Sequence, residues 1–281
     1  MPISTRYVRP KNKHFKWRDA VIRLALYLVV LPYSILFVYA LFFSNGVVFQ
    51  PPAPSYSTMP GLIALKDRDG NPIAAVYLPN ESASQTILYS HGNAEDIGEV
   101  YGDLKRLHDL GFAVLAYDYP GYGKSSGRPS EAGVYRAIDA AYAHLTDTLH
   151  ISPDRILIWG RSVGGGPSVD LASRKKVGGL ILESTFVSAF RVLTVWPILP
   201  FDTFNNIGKI GNVKCPVLVI HGRRDEVVPF HHGEKLFNAA NEPKRFSPID
   251  SAHHNDVLSR GGAGLEKAVQ DFARSLNFLN L

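Results

Sequence analysis

Ser162 lies between two glycines in Gly160-Arg161-Ser162-Val163-Gly164, the setting of a nucleophile. A serine hydroxyl attacks poorly at neutral pH and needs an adjacent base. The base needs a carboxylate to hold its tautomer and stabilise its charged form. Further along, Asp225 supplies a carboxylate and His253 or His254 an imidazole, while Glu183 is an alternative acid earlier in the chain. The glycines matter because a sharp turn must leave the hydroxyl room that larger neighbours would fill. The same pattern recurs in Gly123-Lys124-Ser125-Ser126-Gly127, so the motif alone does not choose its serine.

The surrounding elements do choose. Arg155-Ile156-Leu157-Ile158-Trp159 reads as a buried strand before Ser162, and the small residues from Gly165 open a helix. Ser125 follows Tyr119-Pro120-Gly121-Tyr122 and precedes Arg128-Pro129, which is loop composition with no helix behind it. Ser162 is therefore the candidate. Residues 62–65 and 73–78, split by Arg68-Asp69-Gly70-Asn71-Pro72, predict a hairpin. Runs at 86–89, 112–117, 155–159, 180–182 and 217–220 are almost wholly apolar, as parallel strands buried on both faces require, and a weaker strand follows near 245–249.

Between these runs, Ile97, Val100, Leu104 and Leu107 share a helical face, as do Val134, Ile138, Ala141 and Leu145. Leu265, Val269, Phe272 and Leu276 repeat the pattern. This is α/β organisation, a mostly parallel twisted sheet with helices on both faces. Ligands of such sheets bind beyond the carboxyl ends of the strands, where Ser162, Asp225 and the His253-His254 pair all fall. Asp118 and His91, also just past strands, read as loop-shaping residues.

Five segments in order carry a family resemblance: His91-Gly92-Asn93-Ala94, Asp118 to Ser125, Gly160 to Gly165, His221-Gly222-Arg223-Arg224-Asp225 and His254-Asn255-Asp256. Together they resemble the membrane-tethered α/β-hydrolase-domain serine hydrolases, the group that includes protein depalmitoylases. The resemblance spans residues 60–278 and implies an α/β-hydrolase fold with a short lid. Family members carry Gly-His-Asn-Asp around the base, which maps the base to His254, with His253 in the glycine's place. The oxyanion would be met by the backbone N–H of Val163, the residue after the nucleophile. The resemblance gives the backbone N–H of Asn93 as the second donor. It implies ester or thioester cleavage through an acyl-enzyme on Ser162, with His254 as base and Asp225 orienting it, and no cofactor.

The stretch between Glu183 and Pro216 is too short for a large lid domain, yet dense in apolar residues: Phe186, Phe190, Val195, Trp196, Ile198, Leu199, Phe201 and Phe204. Phe186, Phe190 and Trp196 are candidates for an acyl pocket; a bilayer contact and a simple packed helix are the alternatives. Depalmitoylating members carry a cysteine-rich N-terminus, whereas the only cysteine here is Cys215, expected to be a small buried residue. A general esterase or thioesterase acting on acyl or lipid substrates is the preferred reading. A peptidase, a depalmitoylase and an inactive membrane scaffold are its rivals.

The net charge of +5 is concentrated at one end. Residues 1–23 carry +6, which leaves about −1 elsewhere and gives no ground for nucleic-acid binding. Residues 24–43 hold no charge, and a helix rising about 1.5 Å per residue crosses a bilayer core of roughly 30 Å in that length. Pro32 should disturb this helix. Residues 44–65 lack Lys and Arg, so the charge asymmetry predicts a cytoplasmic N-terminus and a domain on the non-cytoplasmic side. An uncleaved anchor is the preferred reading over a cleaved signal peptide or a buried helix.

The expected organisation is a basic tail at 1–19, a transmembrane helix at 20–44, a stiff Pro-rich spacer at 45–58 and the hydrolase domain at 59–281. His231-His232 and His253-His254 are adjacent pairs whose side chains should diverge, so no metal is expected. Asp118 and Pro120 exclude a phosphate-binding loop at Gly123-Lys124-Ser125, since a carboxylate repels phosphate and proline lacks a donor.

Overall fold

Pro32 has no N–H to offer the carbonyl four residues back, and just before it the N-terminal helix widens into a π-helical turn, Leu26–Val30. This turn joins α1 (Lys13–Ala25) to α2 (Leu31–Val48). The stretch Trp17–Val48 has a mean hydropathy of 2.2 and is long and apolar enough to cross a membrane. The computed structural model describes residues 13–194 and 196–279; most of the predicted basic tail and Val195 of the lid lie outside them. Between Ser44 and Asn45 the chain divides into two compact units.

The second unit is built on a sheet of eight strands: β1 (Leu62–Lys66), β2 (Pro72–Leu78), β3 (Thr86–Ser90), β4 (Ala113–Tyr117), β5 (Ile156–Arg161), β6 (Gly179–Glu183), β7 (Val217–Gly222) and β8 (Lys244–Ile249). Their order is β1-β2-β4-β3-β5-β6-β7-β8. β2 pairs antiparallel with both β1 and β4, and the pairings from β4 through β8 are all parallel. The hairpin and mixed sheet are those expected from the apolar runs. β5, which carries the nucleophile candidate, runs between β3 and β6 with Gly160 level with Ser90 and Leu182.

Successive side chains of a strand point to opposite faces, and the core divides accordingly. Ile156 and Ile158 of β5 join one apolar layer with Val134, Ile138 and Ala141 of α4 (Glu131–Ala143), after α3 (Tyr101–Asp109) in the chain. Leu157 and Trp159 join the other, with Leu104 and Leu107 of α3. α5 (Gly165–Arg174), α6 (Asn206–Lys209), α7 (His231–Ala239) and α8 (Val257–Leu279) complete the unit. Leu265, Val269, Phe272 and Leu276 of α8 belong to the second layer. Gly262 interrupts α8 at φ 48°, ψ −145°, so its predicted apolar face follows a break in the helix.

Two expectations need correcting. Residues 45–58 do not stand off from the domain: Phe49 and Tyr56 are 3% and 9% exposed and sit in its core. Burying an aromatic ring stabilises by roughly 1.5–3 kcal/mol, enough to hold a proline-rich segment down. The lid is not a single packed helix either. Its described residues contain a short 3-10 turn, Phe190–Val192, and no further helix before α6.

Candidate active site

β5 delivers Ser162 into a turn that larger residues do not permit. Its φ is 51°, a left-handed conformation that costs a non-glycine residue about 1–3 kcal/mol and persists only where its surroundings enforce it. A Cβ on Gly160 would lie 2.5 Å from the Gly164 carbonyl and from Ser168 Oγ. One on Gly164 would run into the Ser90 carbonyl and lie 2.7 Å from that of His91. Both glycines are thus required by close approach. Thr185 Oγ1 donates to the Ser162 carbonyl at 2.7 Å and ties the turn to the segment after β6.

Ser162 Oγ lies 3.0 Å from His254 Nε2. His254 Nδ1 lies 2.8 and 3.0 Å from the two Asp225 oxygens. A carboxylate only accepts, so Nδ1 carries the proton and Nε2 is left to accept from the serine. Asp225 Oδ1 also accepts from the amides of Val227 at 3.0 Å and Val228 at 2.7 Å. Burial pushes the Asp225 carboxyl up, but hydrogen bonds from His221, His254 and the Val228 amide outweigh it and hold it well below the usual carboxylate range. Asp225 stays ionised near neutrality.

The other candidates are engaged elsewhere. Glu183 accepts from Trp159 Nε1 at 2.8 Å and faces Arg161 Nε at 3.8 Å. Burial raises its carboxyl despite the arginine, and among the described residues no histidine shares it. His253 pairs instead with Glu226, at 2.9 Å. Ser125 Oγ donates to the Asp118 carbonyl at 2.9 Å and accepts from the Ala74 amide at 2.9 Å. The buried Asp118 carboxylate accepts from Tyr56 and from the Ile97 amide, and His91 packs on Tyr119 with ring centroids 4.1 Å apart. Both shape loops.

Arg161, next to Ser162, is 8% exposed. Its guanidinium binds Glu95 at 2.5 Å and Asn255 Oδ1 at 3.0 Å. Glu95 in turn accepts from the Gly92 amide. One cation therefore connects the serine turn, the 91–95 loop and the residue after His254. The Asn93 amide has no acceptor among the described residues, while its side-chain oxygen accepts from Gln50 N at 2.9 Å and Tyr122 OH at 2.6 Å. Val163 lies in the first turn of the short helix Ser162–Gly164, where leading N–H groups have no acceptor within the helix.

Relatives share this frame. The α/β hydrolase domain-containing protein 17B of Xenopus laevis is 41% identical over 211 residues, 74% of this chain and 73% of that protein. The human protein of the same name is 40% identical over the same share of each. This chain belongs to the α/β-hydrolase-domain protein family. A family described as serine aminopeptidase, S33, also matches residues 81–200. Among solved structures, an esterase of Pyrococcus furiosus superposes with a TM-score of 0.67 at 16% identity, covering 81% of this chain and 97% of that one. An esterase domain from Rhodothermus marinus gives 0.61 at 20% identity, covering 76% and 97%. Those two speak for the α/β-hydrolase fold alone, and the chain is a hydrolase of esterase-like architecture.

Within this family member the lid residues part company. Phe186 is buried in the core, Phe190 packs edge-on against Phe201 with centroids 6.2 Å apart, and Trp196 is 75% exposed. The His231 and His232 rings do not diverge but stack at 4.4 Å, and among the described residues no group of three metal-ligating side chains forms. Burial pushes the Cys215 thiol up to about 12, far from nucleophilic use. Sequence reasoning missed Glu95, Asn255, His221 and Gln50. His221 Nε2 lies 2.8 Å from the Val228 carbonyl and 3.3 Å from Asp225. Only its place in the His221-Gly222 motif hinted at a role.

Proposed function

We propose that this family member is a serine esterase or thioesterase acting on acyl or lipid-type substrates through an acyl-enzyme. The observation that carries the reading is the continuous relay from Ser162 through His254 to Asp225. Ser162 Oγ attacks the carbonyl carbon as its proton passes to His254 Nε2, and the Asp225 carboxylate stabilises the imidazolium. The amides of Val163 and Asn93 donate to the oxyanion; losing one such donor typically costs about 3–4 kcal/mol of transition-state stabilisation. Collapse of the tetrahedral intermediate expels the alcohol or thiol, which takes the proton from His254. Water then repeats the sequence and releases the acid.

Acyl specificity is supported by apolar side chains on the lid, Phe190 and Trp196 with the exposed Leu193. Anchoring is supported by the apolar stretch Trp17–Val48, and a cytoplasmic N-terminus by the basic residues on its leading flank. The hydrolase domain then lies on the non-cytoplasmic side, and protease added outside sealed cells or spheroplasts should digest it. Protection of the domain would reverse that orientation.

Covalent labelling by a fluorophosphonate tests the chemistry. The probe should mark the wild type and Ser125→Ala but not Ser162→Ala; a labelled Ser162→Ala would overturn the assignment. The match to the serine aminopeptidase family favours amide hydrolysis as a second reading. Matched ester and amide substrates with one acyl group separate the two.

A further inference from the structure

Residues 49–57 bind one loop at several points, and that loop carries the Asn93 amide. The Phe49 ring packs edge-on against Phe204 with centroids 5.8 Å apart. The next residue, Gln50, has an exposed side chain but a backbone N–H that donates to Asn93 Oδ1 at 2.9 Å and to Tyr122 OH at 3.0 Å. Tyr122 OH donates to the same Asn93 oxygen at 2.6 Å, which closes a triangle. Five residues on, the Ser55 amide donates to Asp96 Oδ2 at 2.7 Å, and its hydroxyl donates to the other oxygen of that carboxylate. Asp96 Oδ1 also holds the amides of Gly98 and Glu99 at 3.0 and 3.1 Å. Tyr56 donates to Asp118, whose carboxylate fixes the Ile97 amide at 2.9 Å.

We propose that residues 49–57 are a strap that sets the 91–98 loop for catalysis, with the Gln50 backbone as its positioning group at Asn93. This rests on the oxyanion role proposed above for the Asn93 amide. From the other side the loop is held by Glu95 and Arg161, so its position is fixed between the nucleophile turn and the strap. A peptide N–H aims at an oxyanion only as well as its peptide plane is fixed, and the Asn93 side chain gives that plane its grip on the strap. In the chain the strap begins directly after α2, which ends at Val48. A domain cut at residue 59 would lack the strap.

The test uses the full-length protein, solubilised in detergent, and p-nitrophenyl butyrate, with kcat expressed per active site titrated by fluorophosphonate. Gln50→Pro deletes the donating N–H, Gln50→Ala keeps it, and Tyr122→Phe deletes the hydroxyl that closes the triangle. Gln50→Pro and Tyr122→Phe should each lower kcat about tenfold with KM unchanged, less than the roughly hundredfold or more from losing an oxyanion donor outright. Gln50→Ala should match the wild type. The double variant should be no slower than the slower single one, because both changes release the same loop.

Melting temperatures should fall by no more than about 2–4 °C per variant, so unfolding does not explain the loss. If Gln50→Pro does not fold, Tyr122→Phe alone decides. Wild-type kcat per titrated site in Tyr122→Phe would overturn the strap while leaving the hydrolase reading intact. A wild type that neither labels nor cleaves the ester would overturn the hydrolase reading and the strap with it.

Discussion

Ser162 and Ser125 occupy the same five-residue pattern and are both buried, yet their hydroxyls have opposite surroundings. Ser125 continues a ladder: beyond the end of β4 the Asp118 amide donates to the Ala74 carbonyl, and the return bond runs from the Ala74 amide to Ser125 Oγ and on to the Asp118 carbonyl. Both its donor and an acceptor site are spent on the backbone. Among the described residues Ser162 Oγ meets only a histidine nitrogen, on a turn bent to φ 51°. On the proposed chemistry, a glycine-flanked serine serves as a nucleophile where its hydroxyl is denied backbone partners and offered a base. The glycines make room; they do not decide what fills it.

The widest separation between the two is in turnover. Ser162→Ala should remove about 10⁶-fold in kcat, the loss typical of deleting a triad nucleophile, whereas Ser125→Ala should keep kcat per titrated site. Asp225→Asn comes next and sharpens the contrast, since it leaves the turn intact. It reverses the preference for a proton on His254 Nδ1, so Nε2 no longer accepts from Ser162. A loss of about 10⁴-fold is expected in steady-state hydrolysis. A loss under tenfold would mean that the turn and oxyanion donors suffice without the relay.

Much of this contrast is legible in the sequence because it rests on local context. Apolar runs place the strands, and the residues just past β5, β7 and β8 supply serine, acid and histidine in turn. The serine's strand-and-helix setting separates it from Ser125. What sequence hides is polar chemistry between distant loops. Arg161 stands in the serine motif with no sign of its role, because its partners Glu95, Glu183 and Asn255 arrive from three separate segments. Gln50 acts through its backbone, which no side-chain pattern reports. The proline-rich composition of 45–58 reads as a stiff spacer standing off from the domain; Phe49 and Tyr56 are the signal that it packs.

Arg161 gives a smaller effect, in stability. It is the neighbour that distinguishes the Ser162 turn, since Lys124 before Ser125 is largely exposed. Arg161→Met leaves Glu95 and Glu183 without their cation, and breaking a buried pair from one side costs about 3–5 kcal/mol. The pH dependence has a definite sign. The Glu183 carboxyl is already raised by burial, and without the arginine it rises further. A carboxyl whose folded pKa exceeds its unfolded one binds its proton more tightly in the native state. Its contribution is therefore present at low pH and lost as pH rises through the folded value. Urea unfolding of Arg161→Met should show a smaller deficit against wild type at pH 5 than at pH 8. An equal deficit at both would mean that the glutamates find other cations.

Ser125→Ala makes the smallest change and tests the comparison from its quiet side. The variant strands the buried Ala74 amide of β2, just past the end of the β2–β4 ladder, and takes a donor from the Asp118 carbonyl. An unsatisfied buried group of this kind costs about 1–3 kcal/mol, so the urea midpoint should fall with no change in slope. Full stability would mean that a water molecule takes both bonds, as the small volume vacated by a hydroxyl sometimes allows. A fall in kcat per titrated site would be the more damaging result. The Asp118 loop holds the Ile97 amide, and through it the segment that includes Asn93. Such a fall would mean that the serine spent on backbone bonds still reaches the chemistry through that loop, and that the two glycine-flanked serines are parts of one site.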